Sequence, residues 1–188
     1  ILTVQLNRYV IPSDEIADRC WGMVREAQRQ ACRQIPDVYI IPSIDSALSD
    51  AIHNSSASNI VLGERLARTA LGHIYGKRIM CDTPDLMSAE KVGDDVLLLT
   101  FNNVYGRLYM YEVGADNLPF VVEDEKGIVN IKDYEQRGAD AIAITSDRKL
   151  EGKCLLHGAS GRNPRGIIPV DFATHLPMLS FYRAECRG

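Results

Sequence analysis

The sequence predicts an α/β unit followed by an antiparallel, β-sandwich-like unit. Three observations carry this prediction. Up to about Gly76, short apolar runs alternate with segments of helical periodicity, the pattern of a sheet with helical crossovers. From about Lys77 the period changes, and short apolar runs follow one another between turn residues. The 188 residues suffice to bury a core without disulfide or metal staples.

The elements follow in order. Leu2 to Leu6 reads as a strand. Ser13 or Asp14 caps a helix running through Glu15, Trp21, Val24 and Ala31, and Ile16, Cys20, Met23, Ala27 and Ala31 recur on one apolar face. Val38-Tyr39-Ile40-Ile41 is a continuous apolar run, the signature of a buried parallel strand. After a polar loop, Val61, Leu62, Leu66, Ala70, Leu71 and Ile74 form a second helical stripe, which Gly76 ends. In the second half, Val96 to Phe101, Leu108 to Val113, Phe120 to Val122, Ala141 to Thr145 and Cys154 to Leu156 read as strands. The change near residues 77–83 divides the chain into 1–78 and 79–188.

Composition narrows the function. The net charge is −4 and Lys and Arg form no cluster, which argues against nucleic acid as a partner. No apolar stretch approaches membrane-spanning length, so no membrane partner is expected. The five cysteines are scattered without a Cys-x-x-Cys pair, and the four histidines lack i, i+4 spacing, so no metal site is expected. Cys20 and Cys32 read as core residues of the first helix. The chain opens on Ile1, directly in a strand-like run, so its native N-terminus is expected to lie elsewhere.

The loop after the Tyr39 strand carries the chemistry. In open α/β sheets, ligands sit beyond the carboxyl ends of the strands. This loop holds Ser43, Asp45, Ser46, Ser49, Asp50, His53 and Asn54. A carboxylate three residues before a histidine can reach Nδ1–H, fix the tautomer and leave Nε2 to take a hydroxyl proton. The plainer reading makes Asp50 a cap and His53 a solvated loop residue. No Gly-x-Ser-x-Gly elbow is present. Ser160, in Gly158-Ala159-Ser160-Gly161, reads as part of a surface turn.

Several segments together resemble the C-terminal part of a sialate O-acetylesterase of the SGNH (GDSL-like) hydrolase superfamily. They are Val4-Gln5-Leu6, then Trp21 with Arg25-Glu26-Ala27-Gln28-Arg29. Ile44-Asp45 with Asp50-Ala51-Ile52-His53 follows, and then Gly63-Glu64-Arg65-Leu66-Ala67 with Tyr75-Gly76-Lys77. In the second half, Thr100-Phe101-Asn102-Asn103, Asn163-Pro164 and Leu176-Pro177 through Phe181-Tyr182-Arg183 resemble the family's β-rich C-terminal domain. The resemblance implies that residues 1–78 are the last portion of a flavodoxin-like, three-layer esterase domain and 79–188 a β-rich accessory domain.

It further implies hydrolysis of acetyl esters on sialic acid or a related glycan, without a cofactor or metal. His53 would be the general base and Asp50 its orienting partner. The nucleophilic serine would lie upstream, in the remainder of the same enzyme, so the isolated chain is expected to be inactive. A periplasmic, secreted or lysosomal setting is implied. The family continues its histidine with Pro and a downstream Lys, whereas Asn54-Ser55-Ser56-Ala57-Ser58 stands here, which bears on sugar preference. The competing reading is a non-catalytic carbohydrate-binding or structural module, with Tyr105, Tyr109, Tyr111, Phe120 and Tyr134 stacking on sugars or packing in the fold.

Overall fold

The computed structural model describes residues 1–12, 14–111 and 114–188. Strand β1 (Leu2–Val4) leads to helix α1 (Glu15–Gln34), strand β2 (Tyr39–Ile41) and helix α2 (Ser56–Thr69). β1 and β2 pair in parallel, Leu2 opposite Tyr39 and Val4 opposite Ile41. Asp14 caps α1 by accepting from the Ala17 amide at 2.8 Å. α2 runs into a π-helical turn (Ala70–Ile74), and Gly76 follows at φ +63°.

The rest is antiparallel. β3 (Asp85–Lys91), β4 (Val96–Asn102), β9 (Ala141–Ser146) and β8 (Ile131–Arg137) form one four-stranded sheet in the order β3-β4-β9-β8. β6 (Phe120–Asp124), β7 (Gly127–Val129), β10 (Leu155–Gly158) and β12 (Phe181–Glu185) form the other, in the order β12-β10-β6-β7. β5 (Leu108–Tyr109) and β11 (Val170–Asp171) make a two-stranded ribbon. In β4 every second side chain (Leu97, Leu99, Phe101) is buried, as the two-residue period of a strand requires. These residues share one core with Ile142 and Ile144 of β9 and with Val122, Leu156 and Phe181 of the second sheet. Gly158 is what lets Phe181 into that core: a Cβ there would lie 2.2 Å from the ring.

This architecture overturns the expected flavodoxin-like three-layer fold. Among the described residues only β1 and β2 pair as parallel strands, and most of the chain is antiparallel β structure. A three-layer fold needs helices laying apolar stripes on a broad parallel sheet. Here α1 does the reverse. Ile16, Cys20, Met23 and Ala27 of its apolar stripe face solvent, while Gly22, Arg25 and Arg29 are buried. Cys20 is thus no core residue, and Cys32 is only half-buried.

The arginines go inward because they have partners there. Arg25 is fully buried and donates from Nε to the Leu6 carbonyl at 2.7 Å, and from its terminal nitrogens to those of Asn7 (2.9 Å) and Gly161 (2.5 Å). Arg29 pairs with Asp85 and donates to the Leu86 carbonyl at 2.8 Å. Irregular backbone leaves carbonyls that require donors, and a guanidinium supplies five in a planar fork.

Candidate active site

The candidate loop leaves β2 at its carboxyl end and is held from several sides. Ser43, buried, donates to the Gln5 carbonyl at 2.6 Å. Asp45 accepts both terminal nitrogens of Arg65 from α2, at 2.7 and 2.5 Å. A bridge pairs Leu48 with Asn54, and the Ser49 amide donates to the His53 carbonyl at 2.8 Å, closing a tight turn. Ser55 then caps α2 through the Ser58 amide.

Within that turn, Asp50 organises its own neighbours. Its Oδ1 accepts the amides of Ile52 (2.9 Å) and His53 (2.8 Å), and its Oδ2 lies 2.7 Å from His53 Nδ1. The two backbone donors, His53 first and then Ile52, followed by the His53 ring, hold the Asp50 carboxyl down at about 2. A carboxylate on Nδ1 favours the tautomer with its proton there, which leaves Nε2 a lone pair. Among the described residues Nε2 has no hydrogen-bond partner, and the side chain is 76% exposed. No described serine hydroxyl reaches the ring, since Ser49 Oγ donates to the His53 carbonyl instead. Ser160 sits in a turn between Ala159 and Gly161, both at positive φ, and their carbonyls accept from Arg25.

Beside the loop runs a cleft of about 860 Å³ lined by Arg8, Arg162 and Arg165, with Asp18 and Asp116 also on its walls. Val10, on its rim, donates its amide to the carbonyl of Ala51, between Asp50 and His53. Arg8 donates to the Ser46 carbonyl at 2.8 Å. Arg162 is 9% exposed, lies over the Tyr9 ring at 4.7 Å and donates to the Ile11 carbonyl at 2.7 Å. The Nε atoms of both Arg8 and Arg162 are buried without a partner. Burial, and then the nearby Arg8 charge, push the Arg25 guanidinium down to about 9, which marks the region as cation-rich.

Sequence reasoning did not single out this cleft. Arg162 and Arg165 stood only within a turn-forming stretch, and nothing in the sequence ties them to Arg8. The tie is tertiary: the Tyr9 amide donates to the Arg162 carbonyl at 2.9 Å.

The aromatics divide. Phe120 is core, packed on Phe181, and Tyr134 packs partly buried against the same core. Tyr105 donates to Asp82 at 2.6 Å. Tyr109 meets Tyr111 edge-on at 4.7 Å and Phe172 at 6.0 Å, and Tyr111 and Phe172 are exposed. Tyr111 interrupts the expected run from Leu108 to Val113 with φ +53°, and Glu112 and Val113 lie outside the described residues.

No protein-family model and no curated protein matches the chain. Among solved structures it is similar to the crystal structure of a novel carbohydrate acetylesterase from Xanthomonas citri. The TM-score is 0.76 and the identity 21%, over 96% of this chain and 40% of that one. The chain therefore spans less than half of that protein, and the likeness is one of fold. A surface-layer protein, SbsC, is similar at a TM-score of 0.44 and 12% identity, over 71% of this chain and 17% of that one, too distant to carry an argument.

Proposed function

We propose that this chain is the Asp/His-bearing part of a serine-type carbohydrate O-acetylesterase whose nucleophile lies outside these residues. The observation that carries the reading is the 2.7 Å contact between Asp50 and His53 Nδ1, on a turn that leaves Nε2 open beyond the carboxyl ends of two parallel strands. The fold shared with a carbohydrate acetylesterase, of which this chain covers 40%, supports it. In this reading residues 1–78 complete the catalytic domain and 79–188 form its accessory domain.

The chemistry follows from the dyad. A serine hydroxyl brought to Nε2 gives up its proton there as Oγ bonds to the acetyl carbonyl carbon. Asp50 stabilises the resulting imidazolium. Collapse breaks the ester bond, the proton passes from Nε2 to the departing sugar oxygen, and water repeats the sequence to release acetate. The cleft beside the loop suits an acetylated sugar that carries a carboxylate, as sialic acid does. A carboxylate would meet the unpartnered Nε–H groups of Arg8 and Arg162, which are otherwise costly to bury.

The test uses the complete enzyme and the 188-residue chain side by side. In the complete enzyme, His53→Ala lowers kcat for acetyl-ester hydrolysis by about 10²–10⁴, the span of general-base catalysis. Asp50→Asn lowers it while leaving KM nearly unchanged. The isolated chain gives no turnover. Full activity in His53→Ala, or turnover by the isolated chain that this variant abolishes, refutes the proposal.

The exposed Tyr109, Tyr111 and Phe172 cluster favours a second reading, a carbohydrate-binding module. Glycan binding by the isolated chain that is lost in Tyr111→Ala and Phe172→Ala, but not in His53→Ala, would favour that reading.

A further inference from the structure

At the opposite end of the two-stranded sheet lies a cluster that the esterase reading does not use. The π-helical turn at Ala70–Ile74 closes when the Lys77 amide donates to the Leu71 carbonyl at 2.9 Å, and the chain then doubles back. Arg68 holds the returning strand by donating to the Met80 carbonyl at 2.8 Å. This brings Cys81 and Asp82 against His73. His73 Nε2 lies 2.6 Å from Asp82 Oδ1, and one ligand atom from each of the three residues lies within 4.8 Å of the other two. Cys81 is buried and makes no disulfide.

We propose that His73, Cys81 and Asp82 form a zinc site, binding through imidazole nitrogen, thiolate sulfur and carboxylate oxygen. Four features support it. First, the donor set is one zinc takes, where calcium and magnesium take oxygen alone. Second, the charges balance. Zn²⁺ with one thiolate, one carboxylate and a neutral imidazole is uncharged, so a partly buried site does not strand a net charge; the Cys81 thiol proton leaves to solvent on binding.

Third, the ligands are oriented by outer partners, as metal ligands are. The His73 ring stacks on Tyr39 with centroids 4.1 Å apart, and the second oxygen of Asp82 accepts from Tyr105. Fourth, the three residues line a cavity of about 180 Å³ that also contains Thr83. Thr83 is 4% exposed, and its Oγ1 is buried without a hydrogen-bond partner. A water in the fourth coordination position, facing this cavity, would satisfy that hydroxyl. Asp85 lines the cavity too, but Arg29 and Arg33 already engage it.

Such a site would tie the α2 end, the amino end of β2 and the entrance to β3 together at the junction of the two halves. It stands on the far side of the sheet from Asp50 and His53, so its role is to hold structure, and it does not depend on the esterase reading.

The experiment strips the full chain with a chelator, dialyses it against Zn²⁺ and measures bound metal by mass spectrometry. Cobalt(II) serves as the spectroscopic probe. About one zinc per chain is expected, with Co²⁺ giving a thiolate-to-metal charge-transfer band and the intense visible bands of a tetrahedral centre. His73→Ala, Cys81→Ser and Asp82→Asn should each lose the zinc, and Cys81→Ser the charge-transfer band, while circular dichroism shows the fold retained. Cys20→Ser, which changes the exposed thiol, should keep both. No stoichiometric zinc, or binding that survives Cys81→Ser and His73→Ala, overturns the proposal. So does a Co²⁺ spectrum without the thiolate band.

Discussion

Arg25 gives the sharpest test of what holds the molecule together. Its guanidinium is fully buried, touches no carboxylate, and binds only backbone carbonyls on two segments far apart in sequence. Arg25→Met keeps the bulk and removes every donor. Three short bonds are lost, to Leu6, Asn7 and Gly161. At about 1.5–3 kcal/mol each for a charged donor, they amount to roughly 5–9 kcal/mol. Against this stands the cost of burying a guanidinium with no counter-ion, several kcal/mol that the variant recovers. The net expectation is a loss of about 2–5 kcal/mol. With m of about 2–3 kcal/mol per molar for a chain of this size in urea, the unfolding midpoint falls by about 1–2 M at unchanged m. Arg25→Lys should recover less than half, because an ammonium cannot span the fork. Equilibrium urea unfolding, followed by circular dichroism, reads both variants. A midpoint for Arg25→Met at or above the parent's would refute the reasoning. It would mean that desolvation cancels the bonds and that the buried arginine is tolerated, not stabilising. Full recovery by Lys would show that charge and not planar geometry matters.

Two further tests probe the β-rich half. Asp124 accepts both terminal nitrogens of Arg148 and the amides of Lys126 and Glu151, and Arg148 above all holds its carboxyl well below the usual range. A depressed carboxyl stabilises the fold above its unfolded value, near 4, and that stability fades as pH falls through the folded value. Asp124→Asn should therefore melt several degrees lower at pH 7, and the gap should narrow below about pH 4. A gap that stays constant down to pH 3 would count against the ion pair as its source. Gly158→Ala should destabilise the chain by about 1–3 kcal/mol through overpacking against Phe181. A melting temperature equal to the parent's would mean the core yields more easily than the contact implies.

What was legible in the sequence was what is local. The Asp50–His53 pairing is a matter of four consecutive residues, because the carboxylate captures the Ile52 and His53 amides and then the ring of the residue it has just positioned. The Asp14 cap, the β2 run and the alternating β4 are local in the same sense. β3 and β8 were missed because Asp85–Lys91 and Ile131–Arg137 carry charged and polar residues throughout, and their half-exposed faces break the alternation. The inward face of α1 was misread because periodicity ranks side chains by hydrophobicity. A guanidinium surrounded by carbonyls wins that face by hydrogen bonding, and its partners at Leu6, Asn7 and Gly161 are not sequence neighbours. The arginine cleft and the His73, Cys81 and Asp82 cluster escaped for a related reason. Chain reversals assemble them, and no fixed spacing announces them.

Gln5 and Ser180 meet in the interior, the glutamine amide donating to the Ser180 carbonyl at 2.8 Å while the Ser180 amide donates back to Gln5 at 2.9 Å. These residues are 175 positions apart. During synthesis the buried glutamine waits, unpaired, until nearly the last residue leaves the ribosome. The first strand is therefore among the last parts of the molecule to be finished. Folding of this chain runs against the direction of its translation, and a truncation before Ser180 would leave an unsatisfied amide in the first strand, not merely a shorter tail.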